Sequence, residues 1–378
     1  MERDQALSFL HELLQILLQK KGSDLFICAG FPPSIKVDGK INPQTSQPLT
    51  PRHTAAIARA IMNDRQAAEF EATKECNFAI SPVGIGRFRV NAYRQQGSIA
   101  VVLRTIPSEM PTLDGLGLPP ILKKIALDER GLVIFVGGTG TGKSTSLAAM
   151  VDYRNENSHG HIITIEDPIE FAHQHKNCIV SQREIGIDTD TWEIALQNTL
   201  RQAPNVILMG EIRSRETMDH AIAFAETGHL CFATLHANSA NQALDRIINF
   251  FPEERRQQLL LDLSLNMKAF ISQRLVPRAS TKGRIAAVEI LLQTPLVSDM
   301  ISDGRIGEIK ELMKRSRELG MQTFDQSLFD LYEADLITYE DALRFADSVN
   351  DLRLQIKLNS KRADKPTAGD DLSKATIV

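Results

Sequence analysis

The run GGTGTGKST, residues 137–145, combines residue types that together can hold a chain of phosphates. The apolar run LVIFV before it predicts a buried strand, and TSLAAMVDYR, which begins at its last residue, predicts a helix. Between strand and helix, glycines let the backbone turn its N–H groups inward, Lys143 carries a positive charge to the β- and γ-phosphates, and Ser144 offers a hydroxyl to Mg²⁺. A glycine-rich turn that binds nothing is the alternative, but the complete pattern favours a nucleotide-binding loop. Its predicted ligand-binding residues are Gly137, Gly138, Thr139, Gly140, Thr141, Gly142, Lys143, Ser144 and Thr145.

Polar residues follow each of three further apolar runs, IITI, VILM and LCFAT. In a parallel sheet covered by helices, ligands bind at the carboxyl ends of the strands, so these positions are candidates for the same site. Glu166 follows the first run and Glu211 the second. A carboxylate beside a magnesium nucleotide can hold the metal through water or orient the attacking water. Taken singly, Glu166 could cap a strand end and Glu211 could pair with Arg213 or Arg215, but together with the loop both are predicted to be catalytic.

Two histidines, His229 and His236, flank LCFATL seven residues apart. An isolated histidine is more often structural than catalytic, and two histidines without a third ligand make a poor zinc site. We therefore interpret them as sensors of the γ-phosphate or of the Mg²⁺ shell rather than as metal ligands.

Composition indicates an ordinary soluble chain of 378 residues, with 43% hydrophobic and 24% charged residues. The formal net charge of −4 gives no overall reason to expect nucleic acid as a partner, although a local basic groove stays open. No apolar stretch is long enough to predict a membrane span. The cysteines are far apart in sequence, which favours reduced cytosolic thiols over a zinc site or a redox pair; they are Cys28, Cys76, Cys178 and Cys231.

The first hundred residues predict a small α+β domain. Phe88 and Val90 alternate with polar residues in GRFRVNAY, which is typical of a strand with one polar face. The segment TPRHTAAIARAIMNDRQAAEFEA predicts one or two helices. Leucines at helical spacing in FLHELLQILLQ predict the buried stripe of an amphipathic helix; a membrane-surface role is less favoured because the polar face is not basic.

Changes in composition along the chain predict its domain boundaries. We place the first domain at residues 1–105 and an interdomain linker, rich in proline and glycine, at 106–120. Residues 121–350 alternate apolar runs with helical stretches, which predicts an α/β nucleotide-binding core followed by C-terminal helices. Residues 351–378 are predicted to be a disordered tail, since the end of the chain is polar and lacks periodicity.

Four motifs in order give a family resemblance. GGTGTGKST, TIEDPIEF, RQAPNVILMGEIR and TGHLCFATLHANSA resemble the Walker A, Asp box, Walker B and His box of the secretion-superfamily ATPases. SDLFICAGFPPSIKVDGK and GRFRVNAYRQQGSIAVVLRTIP are similar to the N-terminal domain of the type IV pilus retraction ATPases, the PilT/PilU family, so the resemblance covers about residues 20–350. It implies a PAS-like α+β domain, a RecA-like P-loop ATPase domain with a C-terminal helical region, and a homo-hexameric ring that binds nucleotide between the two domains.

The resemblance also implies roles for the candidate residues. Lys143, Ser144 and Thr145 are implied to bind the phosphates of ATP and Mg²⁺. Glu166 is implied to act on the attacking water and Glu211 to support the metal together with Ser144. His229 and His236 are implied to sense the γ-phosphate.

A charge-neutralising arginine finger is implied on the arginine-rich strands of the first domain. The candidates are Arg87, Arg89 and Arg104, and the sequence does not decide between them. For each one alone, a solvated strand face is a comparable interpretation.

The resemblance favours one branch of the family. The chain's size and the lack of a tetracysteine zinc site argue against an assembly ATPase. PilT-type proteins carry an AIRNLIR-like segment where this chain has QTPLVSDMISDGR, residues 293–305, which makes it more similar to the accessory, PilU-type retraction ATPases. The implied partners are a PilT-type ATPase and an inner-membrane pilus platform protein, and the implied location is the cytoplasm, at the inner-membrane face of the pilus machinery.

Two other hypotheses compete with an accessory retraction motor. The first is an ATPase with another cargo, for type II secretion, conjugation or nucleic-acid translocation; the retraction-type N-terminal domain and the absence of overall basic charge count against it. The second is a nucleotide-gated structural subunit that hydrolyses little. Intact Lys143, Glu166 and Glu211 disfavour a dead site.

Overall fold

The computed structural model describes residues 2–37, 39–107 and 109–362, which fall into two compact units. The first unit comprises the residues up to 109 together with 169–173, and the second comprises 110–168 and the residues from 174 onward. Within the described ranges, no helix is both long and apolar enough to cross a membrane.

A six-stranded antiparallel sheet packs against three helices in the first unit, in the strand order β3-β2-β1-β6-β5-β4. The predicted alternation in β5 is confirmed, because Phe88 and Val90 are fully buried in the same core as Leu10, Leu14 and Leu17 of α1. The unit's elements are α1 (Arg3–Gln19), β1 (Asp24–Ile27), β2 (Ser34–Val37), β3 (Lys40–Pro43), α2 (Pro51–Ile61), α3 (Asp64–Thr73), β4 (Glu75–Ile80), β5 (Arg87–Gln95) and β6 (Ser98–Ile106).

The second unit contains a seven-stranded sheet and eleven α-helices within the described residues. Its elements are α4 (Ile121–Ala126), β7 (Gly131–Val136), α5 (Lys143–Asn157), β8 (Gly160–Glu166), β9 (Cys178–Glu184), α6 (Trp192–Thr199), β10 (Val206–Met209), α7 (Arg215–Glu226), β11 (Leu230–Leu235), α8 (Ala240–Asn249), α9 (Glu253–Asn266), β12 (Met267–Pro277), β13 (Arg284–Leu292), α10 (Pro295–Ser302), α11 (Ile309–Arg315), α12 (Phe324–Glu333), α13 (Tyr339–Phe345) and α14 (Val349–Asn359).

The strand order in this sheet is β13-β12-β7-β11-β10-β8-β9, and every pair except β12 with β13 is parallel. The four apolar runs identified in the sequence form β7, β8, β10 and β11, as predicted. Side chains alternate between two cores, one on each face: Leu132 and Ile134 belong to one, Val133 and Phe135 to the other. The predicted fold class is confirmed: an α+β unit followed by a RecA-like α/β unit with C-terminal helices.

The structure differs from the predicted boundaries in two places. Most of the segment predicted as a linker, from residue 110 onward, belongs to the second unit, because Leu113 and Leu118 are buried in its core. The predicted tail begins inside a helix, since α14 buries Leu352 and Ile356 against the other C-terminal helices. The rest of the predicted tail, residues 363–378, lies outside the described residues.

Candidate nucleotide-binding site

The glycine-rich loop connects β7 to α5 at the carboxyl edge of the sheet. Lys143, the first residue of α5, is buried, and its Nζ donates to the carbonyl oxygens of Gly137 and Gly138 at 2.8 Å each. The ammonium group is therefore held within the turn, beside the first N–H groups of a helix, which favour an anion there. The other predicted residues lie in the loop or in the first turn of α5; they are Thr139, Gly140, Thr141, Gly142, Ser144 and Thr145.

Close packing requires glycine at both ends of this loop. At Gly137, with φ of 157°, an added Cβ would lie 2.5 Å from Thr141 Oγ1 and 3.0 Å from the carbonyl oxygen of Gln273. At Gly142, with φ of 90°, it would lie 2.7 Å from Gln273 Nε2. At Gly138, by contrast, it would meet nothing within 4 Å. Neighbouring atoms thus constrain both ends of the loop, whereas there is free space beside Gly138. This arrangement fits a phosphate chain bound by backbone N–H groups.

Glu211 and His236 contact each other at the carboxyl ends of the parallel strands, where the glycine-rich loop also lies. Glu211 follows β10 by two residues, and its Oε1 lies 3.2 Å from His236 Nε2, directly after β11. Its Oε2 accepts from Arg213 Nε at 2.7 Å, so the ion pair considered in the sequence exists beside the contact with histidine. Arg213 Nη1 also lies 3.8 Å from Asp167 Oδ2. This arginine therefore links the ends of β8 and β10.

Glu166 ends β8, one strand farther from the loop than Glu211. Its Oε1 accepts from Thr164 Oγ1 at 2.7 Å and from Gln182 Nε2 at 3.1 Å. Three strand spacings separate β8 from β7, roughly 14 Å at about 4.8 Å each, and two separate β10 from β7. The structure thus brings Lys143, Glu211 and His236 to neighbouring strand ends and holds Glu166 at the outer side of the group.

His229 lies at the amino ends of the parallel strands, opposite the carboxyl ends where the glycine-rich loop lies. It precedes Leu230, which pairs with Gly131 at the start of β7, whereas the loop follows Val136 at the end of that strand. At about 3.3 Å per residue, the two ends of β7 are roughly 16 Å apart. His229 Nδ1 instead lies 3.0 Å from Thr227 Oγ1 and 3.2 Å from the carbonyl oxygen of Phe224. The structure therefore places His229 away from this chain's own loop, at the other end of the strand between the two histidines, and its role as a sensor of the γ-phosphate stays a prediction.

The candidate finger arginines share one face of the first unit's sheet. Arg89 of β5 and Arg104 of β6 are register partners, and Arg87 lies two residues before Arg89. Arg104 Nε donates to Oδ1 of the buried Asp24 at 2.8 Å. Arg104 is thus engaged within its own unit, and which arginine serves as a finger stays a prediction.

Strand β12 carries two functional candidates that the sequence analysis missed, Gln273 and Arg274. Gln273 Oε1 accepts from Ser146 Oγ in α5 at 2.8 Å. Arg274 Nη2 lies 2.6 Å from Asp347 Oδ1 and 3.3 Å from the carbonyl oxygen of Asn238, in the loop that follows His236. The signal available in the sequence was the polar run SQR between the apolar runs AFI and LV, which is unusual in a buried strand.

A buried carboxylate also fixes the loop after His236. Glu289 of β13 accepts from the backbone N–H of Ala240 at 2.7 Å and from Ser272 Oγ at 2.9 Å. Burial raises the pKa of Glu289, although these two hydrogen bonds oppose that effect. The start of α8, and with it the path of the chain after His236, is therefore held by the sheet.

A cavity of about 380 Å³ opens beside the phosphate loop. Among its lining residues are Gly142 from the loop, Thr145 from α5, Gln273 and Leu275 from β12, and Arg284 from β13. Apolar and cationic side chains together are the kind of lining that suits a base and a sugar-phosphate.

Comparison with known proteins agrees with this geometry. A family model described as "Type II/IV secretion system protein" matches residues 5–329. The chain is 63% identical over 350 residues to a Pseudomonas aeruginosa protein named "Type IV pilus ATPase PilU", covering 93% of this chain and 92% of the relative. It is 42% identical over 331 residues to the P. aeruginosa "Type IV pilus retractation ATPase PilT", covering 88% and 96%. The crystal structure of the pilus retraction motor PilT with bound ADP superposes with a TM-score of 0.84 at 38% identity, covering 91% and 98%.

Proposed function

The chain belongs to the type II/IV secretion system protein family, and we propose that it is an accessory ATPase motor of type IV pilus retraction. Similarity over nearly its whole length to a type IV pilus ATPase and a pilus retraction ATPase supports the motor activity. One observation carries the proposal: the loop with Lys143 and the Glu211–His236 pair lie at the carboxyl ends of three neighbouring strands, β7, β10 and β11.

The proposed substrate is MgATP. Lys143 Nζ, now bonded to two loop carbonyls, would turn to the β- and γ-phosphate oxygens, and the amino end of α5 would hold the phosphates through its N–H groups. Ser144 and Glu211 are the residues that would hold Mg²⁺, whose charge offsets the charge of the phosphates. Glu211 and Glu166 are carboxylates available to orient or deprotonate the attacking water, and His236 would contact the γ-phosphate end.

The proposed working form is a homo-hexamer in the cytoplasm, at the inner-membrane face of the pilus machinery, where a platform protein would receive the motion. A finger arginine from the first unit, Arg87, Arg89 or Arg104, would complete the nucleotide site in this ring. Mass measurement in solution with MgATP tests this assembly. A monomer at micromolar concentration with full activity would contradict it.

The segment at residues 295–305 supports the accessory role. It forms α10 and the turn after it, with Asp299 exposed. Its one arginine, Arg305, is engaged by Asp303 at 3.2 Å and Glu308 at 3.4 Å. The segment therefore presents acidic groups where the retraction ATPases that it resembles carry an AIRNLIR-like sequence, and we propose that a PilT-type ATPase supplies what this segment lacks.

Steady-state ATP turnover tests the proposed enzyme. The purified chain is assayed alone and mixed with a PilT-type ATPase whose own loop lysine has been replaced, so that all turnover comes from this chain. We expect turnover that disappears in Lys143→Ala. No turnover under either condition, with the protein folded and bound to nucleotide, would favour the nucleotide-gated structural subunit instead.

A further inference from the structure

Gln273 lies where strand β12 passes the phosphate loop. Ser272, the residue before it, is the register partner of Val136, the last residue of β7 before the loop begins. Gln273 is therefore level with Gly137 at the entrance of the loop. Both Gln273 and its partner Ser146 are almost completely buried, at 3% and 1% exposure.

The contacts of Gln273 reach both ends of the loop. Its carbonyl oxygen limits the space at Gly137, and its Nε2 limits the space at Gly142. Its Oε1 accepts the hydrogen bond from Ser146 Oγ in the first turn of α5. One residue thus contacts both the strand end that enters the loop and the helix that leaves it.

We propose that Gln273 is a positioning residue. It holds Gly137 and the amino end of α5 in the relative placement that lets the loop bind the phosphates of a nucleotide. The inference rests on the proposed function, because it assigns a partner to the same phosphate site. The loop binds phosphate through backbone N–H groups, which must converge on one point, and convergence depends on the relative placement of Gly137 and the amino end of α5. Gln273 is also one of the residues that line the cavity beside the loop.

A purely structural role would predict a different result from a positioning role. A buried hydrogen bond stabilises the fold wherever it lies, so its loss alone would lower the unfolding midpoint and leave nucleotide affinity unchanged. Thr199 provides the control, because its Oγ1 donates a buried hydrogen bond of 2.8 Å to the carbonyl oxygen of Ala195 in α6, an element that contributes no residue to the candidate site.

The experiment measures the dissociation constant of MgADP and the unfolding midpoint for the full-length chain and four variants. The variants are Gln273→Leu, Ser146→Ala, the double variant Gln273→Leu/Ser146→Ala, and the control Thr199→Val. We expect Gln273→Leu to weaken MgADP binding on the order of 10-fold, Ser146→Ala by a smaller factor, and the double variant no more than Gln273→Leu, because the two side chains share one interaction. Thr199→Val should lower the unfolding midpoint and bind MgADP as the parent does.

Affinity and stability together decide the outcome. Parent-like MgADP affinity in Gln273→Leu and Ser146→Ala, or an equal loss of affinity in Thr199→Val, would overturn the positioning role while leaving the proposed function intact. If Gln273→Leu does not fold, the comparison of Ser146→Ala with Thr199→Val decides alone. A folded parent chain that binds no MgADP would overturn the proposed function itself, and the inference with it.

Discussion

The imidazole of His236 lies 3.2 Å from the carboxylate of Glu211, although 25 positions separate them in the sequence. The parallel pairing of β10 with β11 brings the two residues after these strands to one edge. His236→Ala should therefore slow ATP turnover on the order of 100-fold, because it removes an imidazole that contacts Glu211 and that we propose to contact the γ-phosphate.

His229→Ala serves as the comparison for His236→Ala. Its ring contacts Thr227 and the carbonyl oxygen of Phe224 at the opposite edge, so we expect a smaller loss of turnover and a lower unfolding midpoint. Equal losses of turnover in the two variants would indicate that His229 completes the site of a neighbouring subunit.

Lys143→Ala should weaken nucleotide binding on the order of 100-fold. The variant removes the only side-chain cation of residues 137–145, and hydrogen bonds to charged groups are the strong ones. Binding of a fluorescent ADP analogue measures the effect. Lys314→Ala, which removes a half-exposed lysine paired with Glu311, is the control and should bind as the parent does. Equal affinity in Lys143→Ala and the parent would contradict the phosphate-loop assignment.

Glu166→Gln should bind ATP but hydrolyse it at least ~100-fold more slowly, since the amide keeps the shape and loses the charge that accepts a proton. The measurements are nucleotide affinity and kcat, taken in parallel for Glu211→Gln. Glu211 lies one strand nearer the loop than Glu166. Comparing the two variants therefore shows which carboxylate acts on the attacking water. Parent-like turnover in Glu166→Gln with loss in Glu211→Gln would move the catalytic role to Glu211.

Acid should weaken the attachment of the C-terminal helices through Asp347. Burial acts to raise the pKa of this carboxyl, but hydrogen bonds from Lys310 at 2.7 Å and Arg274 at 2.6 Å outweigh it and hold the pKa below its ordinary value. A carboxyl whose pKa is lower in the folded than in the unfolded state stabilises the fold fully at pH values above its pKa in the unfolded state. That stability is lost as the pH falls through the folded pKa.

Asp347→Asn tests this pH dependence. The variant should lose about 2 kcal/mol of unfolding free energy at pH 7, since two cations lose their partner, and the difference from the parent should shrink as the pH falls below about 4. Asp325 acts in the opposite direction, because burial raises its pKa; the charge of Asp347 adds to that rise and is absent from the variant. Urea unfolding at several pH values measures the difference, with the exposed Glu311→Gln as a control that should change little. A pH-independent difference would show that Asp347 acts through packing alone.

In cells, the chain alone should support no pilus retraction and should add rate or force only beside a PilT-type ATPase. The reason is the acidic segment at residues 295–305, whose Arg305 is already paired. Retraction is measured in strains that carry this protein, the partner, both, or both with Lys143→Ala here. Retraction that persists without the partner and disappears in Lys143→Ala would show the accessory role to be wrong.

Local patterns in the sequence predicted much of the fold. The loop, the strand before it and the helix after it are contiguous, and their chemistry depends on residues within one turn of each other. Alternating burial in β5 and the leucine stripe of α1 likewise follow from backbone periodicity alone. The glutamates and histidines could be found as residues that follow or precede apolar runs.

The tertiary structure decided which of these residues share a site, because strand order and register join positions that are distant in the chain. Insertion of β11 between β7 and β10 places His236 beside Glu211, leaves Glu166 one strand farther out, and puts His229 at the other edge. Gln273 lies 127 positions from Ser146, and nothing local in its strand indicates that pairing. Periodicity determines which face a side chain occupies, whereas its neighbours on that face depend on packing among strands and helices far apart in sequence.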